Sequence, residues 1–171
     1  MKYFNGFSLL SEEELFNTYL TPSDYCVAGF SCGAQKAFEY VYHSKRRIDR
    51  LILLSPAFFQ TQKPSFIRTQ LRYFESDKNA YVNQFLKNVA FPSKVTLDKY
   101  LSVGTREELE SLLTYVWDKE KIQTILNRGT TIEVFLGEED KIIAIDESIA
   151  FFSDSCTSYV LKKSGHLLLE K

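Results

Sequence analysis

One five-residue stretch, Gly29-Phe30-Ser31-Cys32-Gly33, constrains this chain more than any other. A short apolar run, Tyr25-Cys26-Val27-Ala28, leads into it, and apolar residues at helical spacing follow at once. Glycine, serine and glycine at alternate positions between a strand and a helix describe a very sharp turn that exposes the serine. The turn forces the serine into strained backbone, and the flanking glycines let strand and helix approach closely. The free N–H groups of the helix start then lie beneath the serine and favour negative charge there. In this context Ser31 reads as a nucleophile. The plainer reading is a tight turn with a bystander serine.

The surrounding pattern supplies the context. After the turn, Ala34, Ala37, Phe38, Val41 and Tyr42 form the apolar stripe of a helix that packs on a sheet. Leu51 to Leu54 then read as a buried strand, closed by Ser55-Pro56. Strand, helix, strand at this spacing implies a parallel sheet with a right-handed crossover. Upstream, residues 2–5 end a strand that enters the loop Asn5-Gly6-Phe7-Ser8. Ser11 with Glu14 reads as a capping box for a helix that buries Leu15, Phe16, Tyr19 and Leu20. The alternation resumes with a strand over 131–136, a helix over 145–152 and a last strand over 158–161. Leu167-Leu168-Leu169 reads as the start of a closing helix.

Residues from about 60 to 128 differ. Helical patterns dominate, and aromatic residues are dense, among them Tyr73, Phe91, Tyr100, Tyr115 and Trp117. A helical insertion between two sheet strands is a candidate cap over Ser31, although most of these side chains must also pack on one another.

Composition bounds the rest. A chain of 171 residues reads as one domain, and its 44% apolar and 25% charged residues are ordinary for a globular protein. The net charge of −1 gives no general attraction to nucleic acid or membrane. No apolar run approaches the ~20 residues of a membrane span, and the first residues contain no signal-peptide core. Cys26, Cys32 and Cys156 are an odd number without metal-ligand spacing, so they read as reduced thiols of a cytoplasmic protein. No metal or cofactor is expected, and the chain reads as a monomer. Charge is uneven, however. Lys63, Arg68, Arg72, Lys78, Lys87, Lys94 and Lys99 face only Glu75, Asp77 and Asp98 within residues 60–100. That is either a solvated surface or a patch for an acidic partner.

A serine hydroxyl needs a base beside it, and the base needs an orienting acid. The chain has two histidines. His43 lies on the helix launched by Ser31, roughly 16–18 Å along its axis, and cannot reach back. His166 follows the last strand, at the carboxyl edge where parallel sheets place their chemistry, so it is the base by elimination. The acid belongs after a strand between the two. Asp140 fits, with Glu138, Glu139 and Asp146 as neighbouring competitors. The oxyanion then needs two backbone donors, and the N–H groups of Cys32 and Phe7 are the candidates.

The elbow, Asn5-Gly6-Phe7, Gly137-Glu138-Glu139-Asp140 and Gly165-His166 together resemble the α/β-hydrolase superfamily, whose catalytic order is also serine, acid, histidine. The resemblance implies a minimal α/β-hydrolase. Its mostly parallel sheet would be flanked by helices and begin at the equivalent of the third strand, with the helical insertion at about 60–128 as its cap. Family members usually carry His-Gly where this chain has Asn5-Gly6. Within the superfamily the chain looks most like the short BioV-type carboxylesterases of biotin synthesis. The likeness rests on its size, the opening Met-Lys-Tyr-Phe-Asn-Gly-Phe, the Gly-Phe-Ser-Cys-Gly elbow and the Ser-Gly-His near the end. That resemblance implies hydrolysis of the methyl ester of pimeloyl-acyl carrier protein. It also implies a cap phenylalanine, Phe85, along the acyl tunnel, and a docking surface for the acidic carrier protein at Arg68, Arg72, Lys78 and Lys87. The competing readings are a general short-acyl esterase or thioesterase with the same triad, and a non-catalytic binding protein on the same fold.

Overall fold

A computed structural model describes all 171 residues. Five parallel strands form one sheet in sequence order: β1 (Lys2–Phe4), β2 (Cys26–Phe30), β3 (Arg50–Leu54), β4 (Thr131–Gly137) and β5 (Thr157–Leu161). The central strands are apolar on both faces because both faces are covered. Every residue of β2 is buried, and Leu51 to Leu54 are fully buried. β5 is an edge strand, and its Tyr159 and Val160 stay largely exposed.

Crossovers of one hand, all advancing the same way across the sheet, put their helices on one face. Three helices lie there: α1 (Cys32–His43), packed on β1 to β3; α5 (Lys119–Asn127), against α1 and β4; and α6 (Ile145–Ser153), on β4 and β5. In α1 the expected stripe is the buried one, with Ala34, Ala37 and Phe38 sealed from solvent. Burying one such phenylalanine contributes about 2–3 kcal/mol. The opposite face is covered by the segment after β1 and by the chain end. Phe16 packs on Phe30 and Tyr19 on Phe135, with ring centroids 4.7 and 5.0 Å apart, and the Tyr19 hydroxyl donates to the Leu168 carbonyl.

The segment between β3 and β4 carries α2 (Pro64–Ser76), α3 (Lys78–Ala90), α4 (Arg106–Thr114) and α5. α2 packs on α3 and α4, whereas α5 belongs to the layer that covers the sheet. Here Thr105, not a residue near the N-terminus, makes a reciprocal capping box, with Glu108.

Two local expectations give way. Ser11 sits in left-handed backbone (φ 60°) and caps nothing; only one 3-10 turn, Glu12–Phe16, follows it. Instead of Glu14 reaching back to Ser11, Glu12 turns inward and accepts the Gly6 N–H, while Glu14 bonds Lys99 and Tyr100 outside. Leu167-Leu168-Leu169 starts no helix. Leu167 and Leu168 are buried in a turn, with Leu168 at φ 58°, so their apolarity serves packing and not helical periodicity.

The close approaches implied around the elbow are present. A Cβ on Gly29 would collide with the Gly33 carbonyl, and one on Gly33 with the Phe4 carbonyl. These are backbone obstacles that no rotamer change can relieve. Gly33→Ala is therefore expected to destabilise the fold by at least ~3 kcal/mol, read as a shifted midpoint in urea unfolding.

Candidate active site

Ser31 lies at the carboxyl end of β2 with φ 55° and ψ −117°, outside the regions that side-chain-bearing residues normally occupy. The turn is held on both sides. The Ser31 N–H donates to the Leu54 carbonyl, and its own carbonyl accepts from Ala34 and Ala57. Strain of this kind costs roughly 1–3 kcal/mol. Ser31→Gly should relieve part of it, raising stability by about 1 kcal/mol in urea unfolding while removing the hydroxyl.

His166 arrives from the loop after β5. Its ring packs on Phe30, the neighbour of Ser31, with centroids 5.0 Å apart. Its carbonyl is fixed by the Ser55 hydroxyl at 2.7 Å. Gly165 before it lies so close to the Phe91 carbonyl that no Cβ would fit. Asp140, in the loop after β4, meets His166 Nδ1 through Oδ2 at 2.6 Å, both side chains being fully buried. The other carboxylate oxygen, Oδ1, accepts the N–H groups of Ile142 and Ile143, which fixes the carboxylate plane.

His166 Nε2, the nitrogen turned away from Asp140, is buried and has no hydrogen-bond partner. Ser31 Oγ forms no hydrogen bond with it. Of the competing acids, Glu138 and Asp146 are bonded neither to His166 nor to its loop, and the Glu139 main-chain N–H binds the Ser164 carbonyl. His43 is exposed and pairs with Glu39, far from this cluster.

The loop after β1 holds the proposed second donor. Gly6 gives its N–H to Glu12, Leu9 to Gly6, Leu10 to Tyr100 and Ser11 to Asn5, whereas the Phe7 N–H has no partner within the protein. Cys32 is the first residue of α1, so its N–H has no carbonyl one turn back. The Ser8 N–H is also unpartnered, at φ 59°, and was not among the residues singled out from the sequence. Burial pushes the Cys32 thiol up to about 12. It therefore carries almost no thiolate at pH ~8, and iodoacetamide should leave Cys32 unmodified in the folded protein and modify it after denaturation, as read by peptide mass.

Residues of α2, α3 and α4 line a cavity of about 480 Å³ together with residues 141–144 of the Asp140 loop, and neither Ser31 nor His166 is in its lining. Its walls are mainly apolar, with Phe59, Phe66 and Phe85 among them, and Gln62, Gln70, Gln84 and Asn88 add amides. Phe85 also meets Phe7 edge-on at 5.6 Å, which ties α3 to the loop after β1. Ser31 is 3% exposed and His166 fully buried. Arg68 and Arg72 on α2, and Lys78 and Lys87 on α3, are exposed and form no ion pair, although Arg72 and Lys78 lie over the rings of Tyr73 and Phe74. No helix is long and apolar enough to cross a membrane.

The parallel sheet, the strained serine turn and the later acid and histidine loops define an α/β-hydrolase fold. Solved structures share it. MenH from S. aureus superposes with a TM-score of 0.61 at 15% identity, over 96% of this chain and 85% of that one. BioG from Haemophilus influenzae gives 0.60 at 11% identity, over 96% and 87%. Carboxylesterase CesB from Bacillus subtilis gives 0.53 at 16% identity over 84% of this chain, which spans only 53% of that longer enzyme. Comparison with protein-family models and with curated proteins finds no match.

Proposed function

We propose that this chain is a serine carboxylesterase that hydrolyses the methyl ester of pimeloyl-acyl carrier protein, giving the free acid and methanol. The buried Asp140–His166 bond carries the reading, because it orients an imidazole whose Nε2 is left without a partner and can serve as a base. The esterases among the structural neighbours support ester hydrolysis as the reaction class. The sequence resemblance to the short esterases of biotin synthesis supports the substrate.

In this mechanism Ser31 Oγ attacks the ester carbonyl as His166 Nε2 takes its proton. Asp140 keeps the remaining proton on Nδ1 and stabilises the imidazolium. The Cys32 and Phe7 N–H groups receive the oxyanion, each worth about 3 kcal/mol in the transition state. His166 then protonates departing methanol, and a water deprotonated by the same nitrogen releases the acid from Ser31. The apolar cavity takes the acyl chain along Phe85. The exposed cations on α2 and α3 attract the acidic carrier.

The test is conversion of pimeloyl-acyl carrier protein methyl ester by wild type, beside Ser31→Ala. Free acid from wild type alone is expected. Because exposed charges are screened over a few ångströms at about 1 M salt, high salt should slow the carrier-bound ester several-fold and leave p-nitrophenyl butyrate unaffected. Turnover of the small ester without the carrier-bound one would move the assignment to a general short-acyl esterase.

A further inference from the structure

Glu12 is a fully buried carboxylate outside the three residues of the mechanism. One oxygen, Oε1, accepts the Gly6 N–H at 2.7 Å and the Tyr3 hydroxyl at 3.3 Å. The other, Oε2, is buried without a partner. Enclosing a carboxylate in this way is costly, and burial holds its carboxyl above the usual carboxylate range. What the contact achieves is specific. It anchors the Asn5–Gly6 peptide, one unit before the peptide that carries the unpartnered Phe7 N–H.

The same loop is fixed from the cap side by Ser102 N–H to the Ser8 carbonyl at 2.9 Å and Gly104 N–H to the Ser8 hydroxyl at 3.1 Å. Glu12 is the matching anchor from the sheet side. We propose that Glu12 is a positioning residue for ester hydrolysis, holding the Asn5–Gly6 peptide, and through the Gly6 Cα the next peptide, so that the Phe7 N–H meets the oxyanion. The inference rests on the esterase reading above. A donor displaced by a fraction of an ångström acts on the transition state and hardly on the bound ester, so the effect belongs in kcat and not in KM.

The experiment measures kcat and KM for p-nitrophenyl butyrate, per active site titrated with a fluorophosphonate, in wild type, Glu12→Ala and Glu12→Gln. Glu12→Ala is expected to lower kcat about 10²-fold with KM nearly unchanged, the size of effect seen when one oxyanion donor is lost. Glu12→Gln keeps an acceptor for the Gly6 N–H and is expected to recover most of that loss. An unchanged kcat per titrated site in Glu12→Ala would overturn the proposal, since a purely structural role lowers only the number of folded sites. If Glu12→Ala does not fold, Glu12→Asp gives the same reading, because its shorter side chain cannot span to Gly6. An inactive wild type would instead defeat the esterase reading, and the role of Glu12 with it.

Discussion

Replacing Ser31 with alanine is expected to lower kcat for ester hydrolysis about 10⁶-fold, down to the background left by the oxyanion donors. The effect should be that large because no second nucleophile can take over. Cys32 is adjacent, but its buried thiol stays protonated at neutral pH. Stability should hardly change. The Ser31 hydroxyl makes no hydrogen bond, and alanine inherits the same φ of 55° without relieving it. Initial rates with p-nitrophenyl butyrate beside a urea unfolding curve check both halves. A variant that loses activity by unfolding would show itself in the second.

The next largest effect is expected from Asp140→Asn, about 10⁴-fold in kcat. The geometry explains why an isosteric change should be so damaging. The Ile142 and Ile143 N–H groups require an acceptor at Oδ1, so the asparagine must keep its oxygen there. Its NH₂ then faces His166 Nδ1, which must accept instead of donate. The proton is driven to Nε2, and the base can no longer take one from Ser31. Asp140→Ala should be equally inactive but less stable, because it leaves those two amides without their acceptor at roughly 1–3 kcal/mol apiece. Near-wild-type turnover by Asp140→Asn would hand the orienting role to another group.

Much of this arrangement was legible in the residues. Gly29 and Gly33 are forced by the turn, because any side chain on either glycine meets backbone. Leu51 to Leu54 announce a strand covered on both faces, and only two histidines compete for the role of base. Asp140 was separable from Glu138 and Glu139 only by its place in the loop, and the structure adds the bond to His166 Nδ1.

Other features left no local signal. Glu12 stands in a run of three glutamates, where a surface helix and a buried anchor look alike; what turns it inward is Gly6, six residues away in sequence. The stitching of Ser8 to Ser102 and Gly104 spans more than ninety residues and has no periodicity to betray it. Leu167-Leu168-Leu169 misleads because an apolar run encodes burial without encoding dihedrals.

The most direct test of Ser31 as the activated nucleophile is the intact mass of the protein after exposure to a fluorophosphonate, with the adduct located by peptide mapping. One adduct on Ser31 in wild type, none in Ser31→Ala and far slower formation in His166→Ala is the expected result. A wild type that gains no mass, or a Ser31→Ala variant that is labelled at the wild-type rate, would contradict it.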